Sequence, residues 1–469
     1  MAQTVRGKAA ALTAALAAAV LTGCAVVREA REAQRDVAAL GDGSVEVQRP
    51  ERLPDVGTNL AEMVGYALGA RPTMISAALA VQDARLAMKT IEASAPLASS
   101  TPWNAVSASG SAGYSATSAQ NNFSQLKTKT KGNASATLSL DLLVWDFGRN
   151  RAQARAQAER VVAAELELSR EGFATFAAVS EAYFTRLECG ALLEVAFTNE
   201  MERAEHLKRA EGRLAAGEAQ KLDVLRAQLD LAEAREAVVA ASNDFVNAGA
   251  VLAKSLGLAA SWGEEVISIP PNLEPSDRPL DPTSIGADAL FDFARTNAPA
   301  MQVARARLRA ASADLDYALA DLLPEVSASL SLNWLDPLWY WRWGVNGAQS
   351  LFTGFRRTTA VERARVAMQT IATEVEEAEL DLSRAITIAV NERDNAREAL
   401  ASAEASVRSA RENLDTVSEQ FAVGDVSRVE YTEAVADWAN ALASRVKAFY
   451  RGQKAEAALI TLSGTYPLN

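Results

Sequence analysis

The 469-residue chain has little of what enzymes and nucleic-acid-binding proteins use. It has one histidine, two cysteines, 6% aromatic residues and a formal net charge of −12. An acidic chain without a concentrated basic patch is a poor partner for a phosphate backbone, so the composition argues against nucleic-acid binding. We find no glycine-rich phosphate loop, dinucleotide fingerprint or metal-spaced Cys/His cluster. We therefore expect no catalytic residues, no cofactor and no metal site. His206 lies in a charged helical stretch and is predicted to be solvated.

The two cysteines have different predicted roles. A charged start and an apolar run that ends at Leu21 predict a signal peptide over residues 1–23. The segment from Leu21 to Cys24 resembles a bacterial lipobox, which implies that Cys24 is lipidated. Ala25, the residue that follows, implies sorting to the outer membrane. The alternative is an ordinary signal peptide with an incidental cysteine. Cys189 is predicted to be a small, buried packing residue.

The few prolines divide the chain. Five of them cluster between Pro270 and Pro282, which predicts a linker at 258–300 between two regular halves. The halves repeat each other, because Trp145–Arg149 matches Phe352–Arg356 and later landmarks follow at the same offset of 207 residues. The predicted divisions are an N-terminal segment with a first helix at 24–101, a first repeat at 102–257, the linker, a second repeat at 301–464 and a tail at 465–469.

Each repeat holds two segments that alternate with period two. They predict β-hairpins at 106–142 and 326–351, and the polar run 115–131 reads as a surface loop in the first. Strands of this length can cross a membrane when tilted, although a half-buried sheet in a soluble protein shows the same alternation. The Ser/Thr/Asn-rich polar face suits a wet lumen and favours the membrane. Four tryptophans are predicted to form an interfacial aromatic belt: Trp334, Trp339, Trp341 and Trp343. Four strands cannot close a barrel alone, so several chains would have to share one.

Helical hairpins are predicted after each β-hairpin, at 149–256 and 356–463, and a further helix at 301–322 precedes the second β-hairpin. The segments are free of proline and rich in Ala, Glu, Arg and Leu. Gly217 and Gly424 each end one helix, since glycine readily adopts the left-handed conformation found there. About 68 residues of helix separate each turn from the strands, a distance of roughly 100 Å.

These landmarks resemble the TolC/OprM-type outer-membrane efflux protein family over essentially the whole mature chain. The resemblance rests on five segments: Asp146–Arg149, Leu351–Arg357, Ala216–Gln228, Leu323–Ser329 and Val423–Tyr431. It implies a mainly α fold with β, in which a trimer shares one transmembrane β-barrel, four strands per chain, above a long α-helical coiled-coil periplasmic tunnel. It also implies a mixed equatorial region formed by residues 25–70, the linker at 258–300 and the C-terminus. The second strand-to-helix junction departs from the family, because Phe355 replaces the usual glycine.

The resemblance implies partners and site residues as well. The homotrimer would be a passive exit duct for efflux or type I secretion, lipid-anchored in the outer membrane and extending into the periplasm. It would meet a periplasmic adaptor, coupled to an inner-membrane pump of the RND or ABC type, through tips at Gly217, Glu218, Gly424 and Asp425. Acidic residues near the tips, Glu430, Glu433 and Asp223, would form a gate, although they can also be simply solvated. The alternative function is a lipid-anchored coiled-coil scaffold without a pore.

Overall fold

The computed structural model describes residues 59–94, 106–119, 127–217, 220–263, 286–335, 338–349, 352–423 and 425–464. All of them belong to one compact unit, Val56–Asn469. The predicted signal peptide, Cys24 and most of the linker lie outside the described residues.

The described elements form two runs with the same order. The first run is α1 (Leu60–Ala70), α2 (Pro72–Ser94), β1 (Val106–Ala119), β2 (Lys127–Trp145), α3 (Arg149–Ala215) and α4 (Lys221–Ser255). The second is α5 (Ala287–Asn297), α6 (Pro299–Ala320), β3 (Glu325–Leu335), β4 (Leu338–Ala348), α7 (Arg356–Val423) and α8 (Arg428–Ser463). The mainly helical fold with two repeats is confirmed. The structural repeat is longer than the sequence landmarks, because two helices precede each β-hairpin.

A glycine at the end of each run packs closely against the first helices of the same run. Gly257 follows α4 and Gly464 follows α8, with φ of 83° and 73°. A Cβ atom on Gly257 would lie 3.2 Å from the Cα atom of Arg71, which joins α1 to α2. A Cβ atom on Gly464 would lie 2.7 Å from the carbonyl oxygen of Asn297, at the end of α5. The left-handed backbone and the close approach both require glycine, which explains why this landmark recurs at the offset of the repeat.

The longest helices carry the packing of the described chain. α3 has 67 residues and α7 has 68, so each extends about 100 Å. α3 packs against α2, α4, α6 and α8, and α7 packs against α6 and α8. Near the middle of α7, Ile386 is buried with Leu290 and Met301 of the two preceding short helices and with Leu459 of α8. Alanines fill many of the other buried positions, which lets the helix axes approach closely.

The four strands form one antiparallel sheet in the order β1-β2-β3-β4. Leu335 pairs with Leu338, so only two residues connect β3 to β4, as predicted for a tight turn. The predicted surface loop at 115–131 is wrong in part. β1 and β2 remain paired from Ser115 opposite Lys131 to Ala119 opposite Lys127. Polar composition alone resembles a loop, but here a facing strand satisfies the backbone groups.

In the part of the chain that the structure describes, no single helix has the length and apolar character needed to cross a membrane. One pair of consecutive helices has enough length and apolar character when the two are counted together. The pair is Leu60–Ala70 and Pro72–Glu92, and the chain bends by 51° between them.

Candidate functional site

One face of the sheet is apolar and exposed, and its residues are those that the period-two pattern places together. Directly paired residues share a face, and the row Leu140, Leu330 and Trp343 is apolar across three strands. Trp339, Trp341 and Trp343 are 65%, 68% and 69% exposed. The backbone of Trp334 pairs with that of Trp339, while its side chain lies outside the described part. Several exposed tryptophans on one face are unusual for a protein surface in water. Such a face is expected to contact lipid or another apolar surface.

The opposite face carries a hydrogen-bonded polar ladder. Thr137 donates its hydroxyl to the side-chain oxygen of Asn333 at 3.1 Å, and Asn333 donates its amide to the hydroxyl of Ser331 at 3.1 Å. Asn346 donates to the hydroxyl of Ser329 at 3.3 Å. Such groups can exchange hydrogen bonds with water, so this face suits an aqueous lumen, as the sequence predicted.

Each β-hairpin enters its long helix through two consecutive left-handed residues. Phe147 and Gly148 have φ of 53° and 89°, and Gly354 and Phe355 have φ of 62° and 63°. Phenylalanine and glycine therefore exchange places between the repeats while the backbone conformation is kept. Phe355 in place of glycine thus leaves the path of the chain unchanged, at the cost of strain at a residue with a Cβ atom.

An ion-pair network lies directly beyond these junctions and joins the repeats. Arg149 contacts Glu325 at 2.8 Å and Asp321 at 3.4 Å, and Arg357 contacts Asp321 at 3.3 Å. The side chains are about a quarter to two fifths exposed, so the network is partly shielded from water. Asp146 directly follows β2 and accepts hydrogen bonds from the backbone N–H groups of Gly148 at 3.1 Å and Asn150 at 2.7 Å. It thereby caps the first turn of α3.

The turns at the far ends of the helical hairpins are described in part. Gly217 is left-handed with φ of 79°, as predicted for a helix-ending glycine. The N–H of Asp425 donates to the carbonyl oxygen of Gln420 at 3.0 Å, which closes the end of α7. Glu218 and Gly424 lie outside the described residues. α3 ends at Ala215 and α4 begins at Lys221, while α7 ends at Val423 and α8 begins at Arg428.

Two of the predicted gate residues cap the returning helices. Ser427 and Glu430 form a reciprocal capping box: the N–H of Glu430 donates to the Ser427 hydroxyl at 3.3 Å, and the N–H of Ser427 donates to the Glu430 carboxylate at 3.1 Å. Asp223 accepts a hydrogen bond from the N–H of Gln220 at 3.1 Å in the same way. Glu433 is exposed on the next turn of α8. A structural role for Glu430 and Asp223 was missed, although Ser427-x-x-Glu430 is its sequence signature.

The prediction that His206 is solvated is wrong. The side chain of His206 is only 2% exposed and stacks on Tyr431 with ring centroids 5.2 Å apart. Tyr431 in turn stacks on Phe421 at 4.9 Å. His206 belongs to α3, Phe421 to α7 and Tyr431 to α8, so this stack ties the first helical hairpin to the second just beyond the gate residues. We call His206, Phe421 and Tyr431 the aromatic stack.

Polar contacts surround the aromatic stack. Arg203, buried on α3, donates to the carbonyl oxygen of Thr432 at 3.2 Å. Arg428 of α8 forms an ion pair with Asp230 of α4 at 3.0 Å, with both side chains 20% exposed. Sequence reasoning missed these residues, because they contact one another across about 200 positions of the chain. A local signal existed, since Arg203, His206 and the buried Ala210 are spaced as one face of a helix.

Burial determines the protonation of the stack. Burial lowers the pKa of His206, and Arg428, Arg203 and Arg209 lower it further, while Asp230 acts in the opposite direction. His206 is therefore neutral at neutral pH. Burial also raises the pKa of the Tyr431 hydroxyl, so this side chain stays neutral as well. Burying these side chains costs less free energy in their neutral forms than in their charged forms, because a buried charge loses its hydration.

Cys189 is half-buried rather than buried as predicted. Burial, together with the nearby carboxylates of Glu188 and Asp244, raises the pKa of its thiol. A thiol of this kind is a poor nucleophile at neutral pH. In the part of the chain that the structure describes, no group of three or more His, Cys, Asp and Glu side chains is arranged to hold a metal ion.

Comparison with known proteins supplies a family. The family model described as "Outer membrane efflux protein" matches residues 70–258 and 290–465, one match in each structural repeat. No curated protein matches the chain.

Solved structures share the fold. The outer membrane protein VceC from Vibrio cholerae has a TM-score of 0.72 at 18% identity, over 86% of this chain and 96% of its own. A membrane protein from Pseudomonas aeruginosa has a TM-score of 0.75 at 18% identity, over 90% and 98%. The Campylobacter jejuni outer membrane channel CmeC has a TM-score of 0.72 at 15% identity, over 90% of each chain. At these identities the likeness concerns the fold.

Proposed function

Because the chain belongs to the outer membrane efflux protein family, we propose that three copies assemble into a passive duct across the outer membrane and periplasm. Each copy would contribute its four strands to one shared barrel and its helical hairpins to one tunnel. The duct would be the exit channel of a tripartite efflux or type I secretion system. The family is one of channels, and we propose no catalytic role.

The observation that carries this proposal is the open sheet. Within the described residues β1 and β4 are the edges of the sheet, and its apolar face is exposed. Backbone groups at an open edge cannot remain unpaired in hydrocarbon, so a sheet that enters a membrane must close. Four strands are too few to close on themselves. Pairing of β4 with β1 of a second copy supplies the missing strands, and the family resemblance favours three copies.

Stoichiometry and conductance test the duct together. Full-length protein is extracted in detergent, its mass is measured by light scattering, and the same preparation is added to planar bilayers. We expect a trimer that forms ion-conducting channels. A monomeric, water-soluble protein without conductance would instead support the alternative of a lipid-anchored scaffold.

The gate is proposed at the periplasmic end. Glu430 and Glu433 lie within the first two turns of α8, next to the aromatic stack, and Asp223 holds the corresponding place in α4. In a trimer the two glutamates would place six carboxylates around the axis. Such a ring attracts cations and repels anions, and it narrows the passage when a divalent cation binds.

The gate experiment must separate charge from helix capping. Glu430→Gln with Glu433→Gln removes both charges, while glutamine can still cap the helix at residue 430. We expect higher single-channel conductance and weaker block by divalent cations. Glu419→Gln, which removes an exposed charge from the end of α7, is the matched control. Equal conductance and equal block in all three proteins would show that these glutamates do not form the gate.

The remaining proposals concern the turns of the helical hairpins and the N-terminal cysteine. We propose that Gly217, Glu218, Gly424 and Asp425 contact a periplasmic adaptor coupled to an RND or ABC pump, and that Cys24 carries a lipid anchor. Photocrosslinking from residue 218, with residue 236 in the middle of α4 as the control, should capture an adaptor only at the tip. Mass spectrometry of the mature N-terminus tests the anchor, and an unmodified Cys24 would exclude it.

A further inference from the structure

All the charged residues of the four strands fall on one face of the sheet. They are Lys127, Lys129, Lys131 and Asp141 of β2, Glu325 of β3 and Arg342 of β4. The charged positions of β2 are odd-numbered, like those of Thr137 and Ser139 on the polar face. Arg342 pairs with Ser331 and Ser331 with Ser139, so these three residues share that face. In the proposed duct the polar face lines the lumen.

The sign of the charge changes along the strands. The three lysine positions of β2 precede its pairing with β3 and so lie beyond the β3–β4 turn. No acidic residue of the chain lies between Glu92 and Asp141, so no carboxylate near these lysines in the sequence offsets them. The row of Arg342 follows, and Asp141 comes one row further toward the long helices. Glu325 begins β3 beside those helices and is held by Arg149 at 2.8 Å. The half of the strands nearer the β3–β4 turn is therefore positive.

Arg342 is the cation of this face whose side chain the structure describes. It is exposed, and its guanidinium carbon lies 6.0 Å from the centre of the Tyr340 ring. Tyr340 is its neighbour on the polar face and is 43% exposed. Within the described residues no carboxylate forms an ion pair with Arg342. The guanidinium therefore keeps its donors for water or for a solute in the lumen.

The lumen of the proposed trimer is narrow enough for these charges to act on a passing ion. A barrel of twelve strands has a backbone radius of roughly 11 Å. The Debye length at physiological ionic strength is about 8 Å. Three Arg342 guanidinium groups that reach inward from the wall would lie within about one Debye length of an ion on the axis. Their potentials add there and attract anions.

We propose that Arg342 and Tyr340 form a binding site for carboxylates on the lumen wall, along the path of anionic organic molecules that leave through the duct. This inference rests on the proposed function, since it takes the polar face to line the lumen. A guanidinium holds a carboxylate through two parallel hydrogen bonds, and a phenol ring beside it contacts the apolar part of the same molecule. The three lysine positions extend the attraction toward the outer opening. The duct then carries opposite charge at its two ends, since the proposed gate is acidic.

The test measures ion selectivity in single channels of full-length protein. The parent carries Glu430→Gln with Glu433→Gln, which removes the proposed acidic gate and leaves the barrel charges to set the selectivity. Arg342→Gln removes the cation, Arg342→Lys keeps it, and Asp141→Asn removes the opposite charge from the next row. The reversal potential in a gradient of potassium chloride gives the permeability ratio of K⁺ to Cl⁻. Citrate, a small tricarboxylate, is then added as a blocker.

We expect Arg342→Gln to raise the ratio of K⁺ to Cl⁻ permeability on the order of fivefold, the effect of three screened charges near the axis. It should also weaken the block by citrate. Arg342→Lys should retain the selectivity of the parent, and Asp141→Asn should lower the ratio.

Three results would overturn the site while the channel proposal stands. The first is an unchanged ratio and unchanged block in Arg342→Gln. The second is a loss of selectivity in Arg342→Lys equal to that in Arg342→Gln, because the charge would then not be the cause. The third is a shifted ratio with undiminished citrate block, which would leave Arg342 as a selectivity charge that binds no carboxylate.

A second variant keeps the test decisive if Arg342→Gln alone forms no channels. Lys127→Gln with Lys129→Gln and Lys131→Gln should shift the ratio in the same direction and weaken the block by citrate. An unchanged ratio in this triple variant would contradict the positive outer half of the lumen and with it the site. The absence of channels from every protein, the wild type included, would instead contradict the proposed function.

Discussion

Acidification should loosen the contact between the two helical hairpins at His206. The pKa of the buried imidazole is lowered below its ordinary value of about 6.5, so the closed contact holds the neutral form. When the contact opens, water reaches His206 and its pKa returns toward 6.5. The open state therefore takes up a proton first as the pH falls. The contact is fully stable above about pH 6.5 and weakens between that pH and the lowered pKa.

The magnitude follows from linkage. Each pH unit in that interval removes about 1.4 kcal/mol from the free energy of opening, which raises the open population about tenfold. The structure offers the imidazolium little compensation. Arg203, Arg209 and Arg428 act on it as cations, and Asp230 is the one carboxylate that opposes them among the contributors resolved in the described residues. Stacking between the rings of Tyr431 and Phe421 leaves no room for a hydration shell.

Hydrogen–deuterium exchange is the direct assay, because it reports local opening. Peptides that cover residues 203–210 and 428–435 should exchange faster as the pH falls from 7.5 to 5.5, after correction for intrinsic rates. His206→Phe keeps an aromatic ring and removes the titration, so its corrected exchange should stay constant with pH. Any packing cost of the larger ring is the same at every pH and does not affect that slope. A peptide around residues 290–301 serves as an internal control.

One outcome would refute this reasoning. If wild type and His206→Phe show the same pH dependence in these peptides, protonation of His206 does not control the contact. If only the control peptide exchanged faster at low pH, the pH-dependent opening would lie outside the contact at His206.

Three further predictions concern Phe355, the ion pair of Asp230 with Arg428, and two glycines. Phe355→Gly should stabilise the protein by about 1 kcal/mol in thermal unfolding, because glycine removes left-handed strain, and an unchanged midpoint would argue against that strain. Asp230→Asn and Arg428→Gln should each destabilise, and the double variant should fall short of the sum by about 1 kcal/mol, while strict additivity would deny the ion pair. Gly263→Ala should destabilise strongly, because a Cβ atom there would lie 2.6 Å from the backbone nitrogen of residue 250. Gly65→Ala, which meets nothing within 4 Å in a helix, should be neutral or stabilising.

The sequence predicted the strands, the helices and one of the turns because their signals are local. Alternation with period two identifies the faces of the strands, and long segments without proline identify the helices. The turn between β3 and β4 could be read from Leu335-Asp-Pro337, since proline and aspartate favour a tight connection. Each of these inferences needs only residues that lie close together in the chain.

The predictions are wrong where the surroundings of a residue are formed by segments far away in the sequence. His206 has charged neighbours in sequence, yet its surroundings are set by Tyr431 and Phe421, more than 200 positions away. The strand extension at 115–119 was read as a loop because its composition is polar, and only the facing strand shows otherwise. Phe355 is a local case, because its departure from the family pattern is compensated by the adjacent residue in the chain. The neighbouring Gly354 supplies the second left-handed residue of the junction, so the two residue types could exchange places.

The two open edges of the sheet have a genetic consequence. In the proposed trimer each contact between copies would join unlike edges, because β1 and β4 differ in sequence, and it would leave one edge of each kind exposed until the ring closes. A chain with one damaged edge can therefore still be incorporated but can never complete the ring. If such a variant is expressed at the level of the intact chain, random mixing leaves only about one trimer in eight free of it. Mutations at β1 or β4 that block pairing should therefore be dominant over the wild-type allele, whereas changes that prevent folding altogether should be recessive.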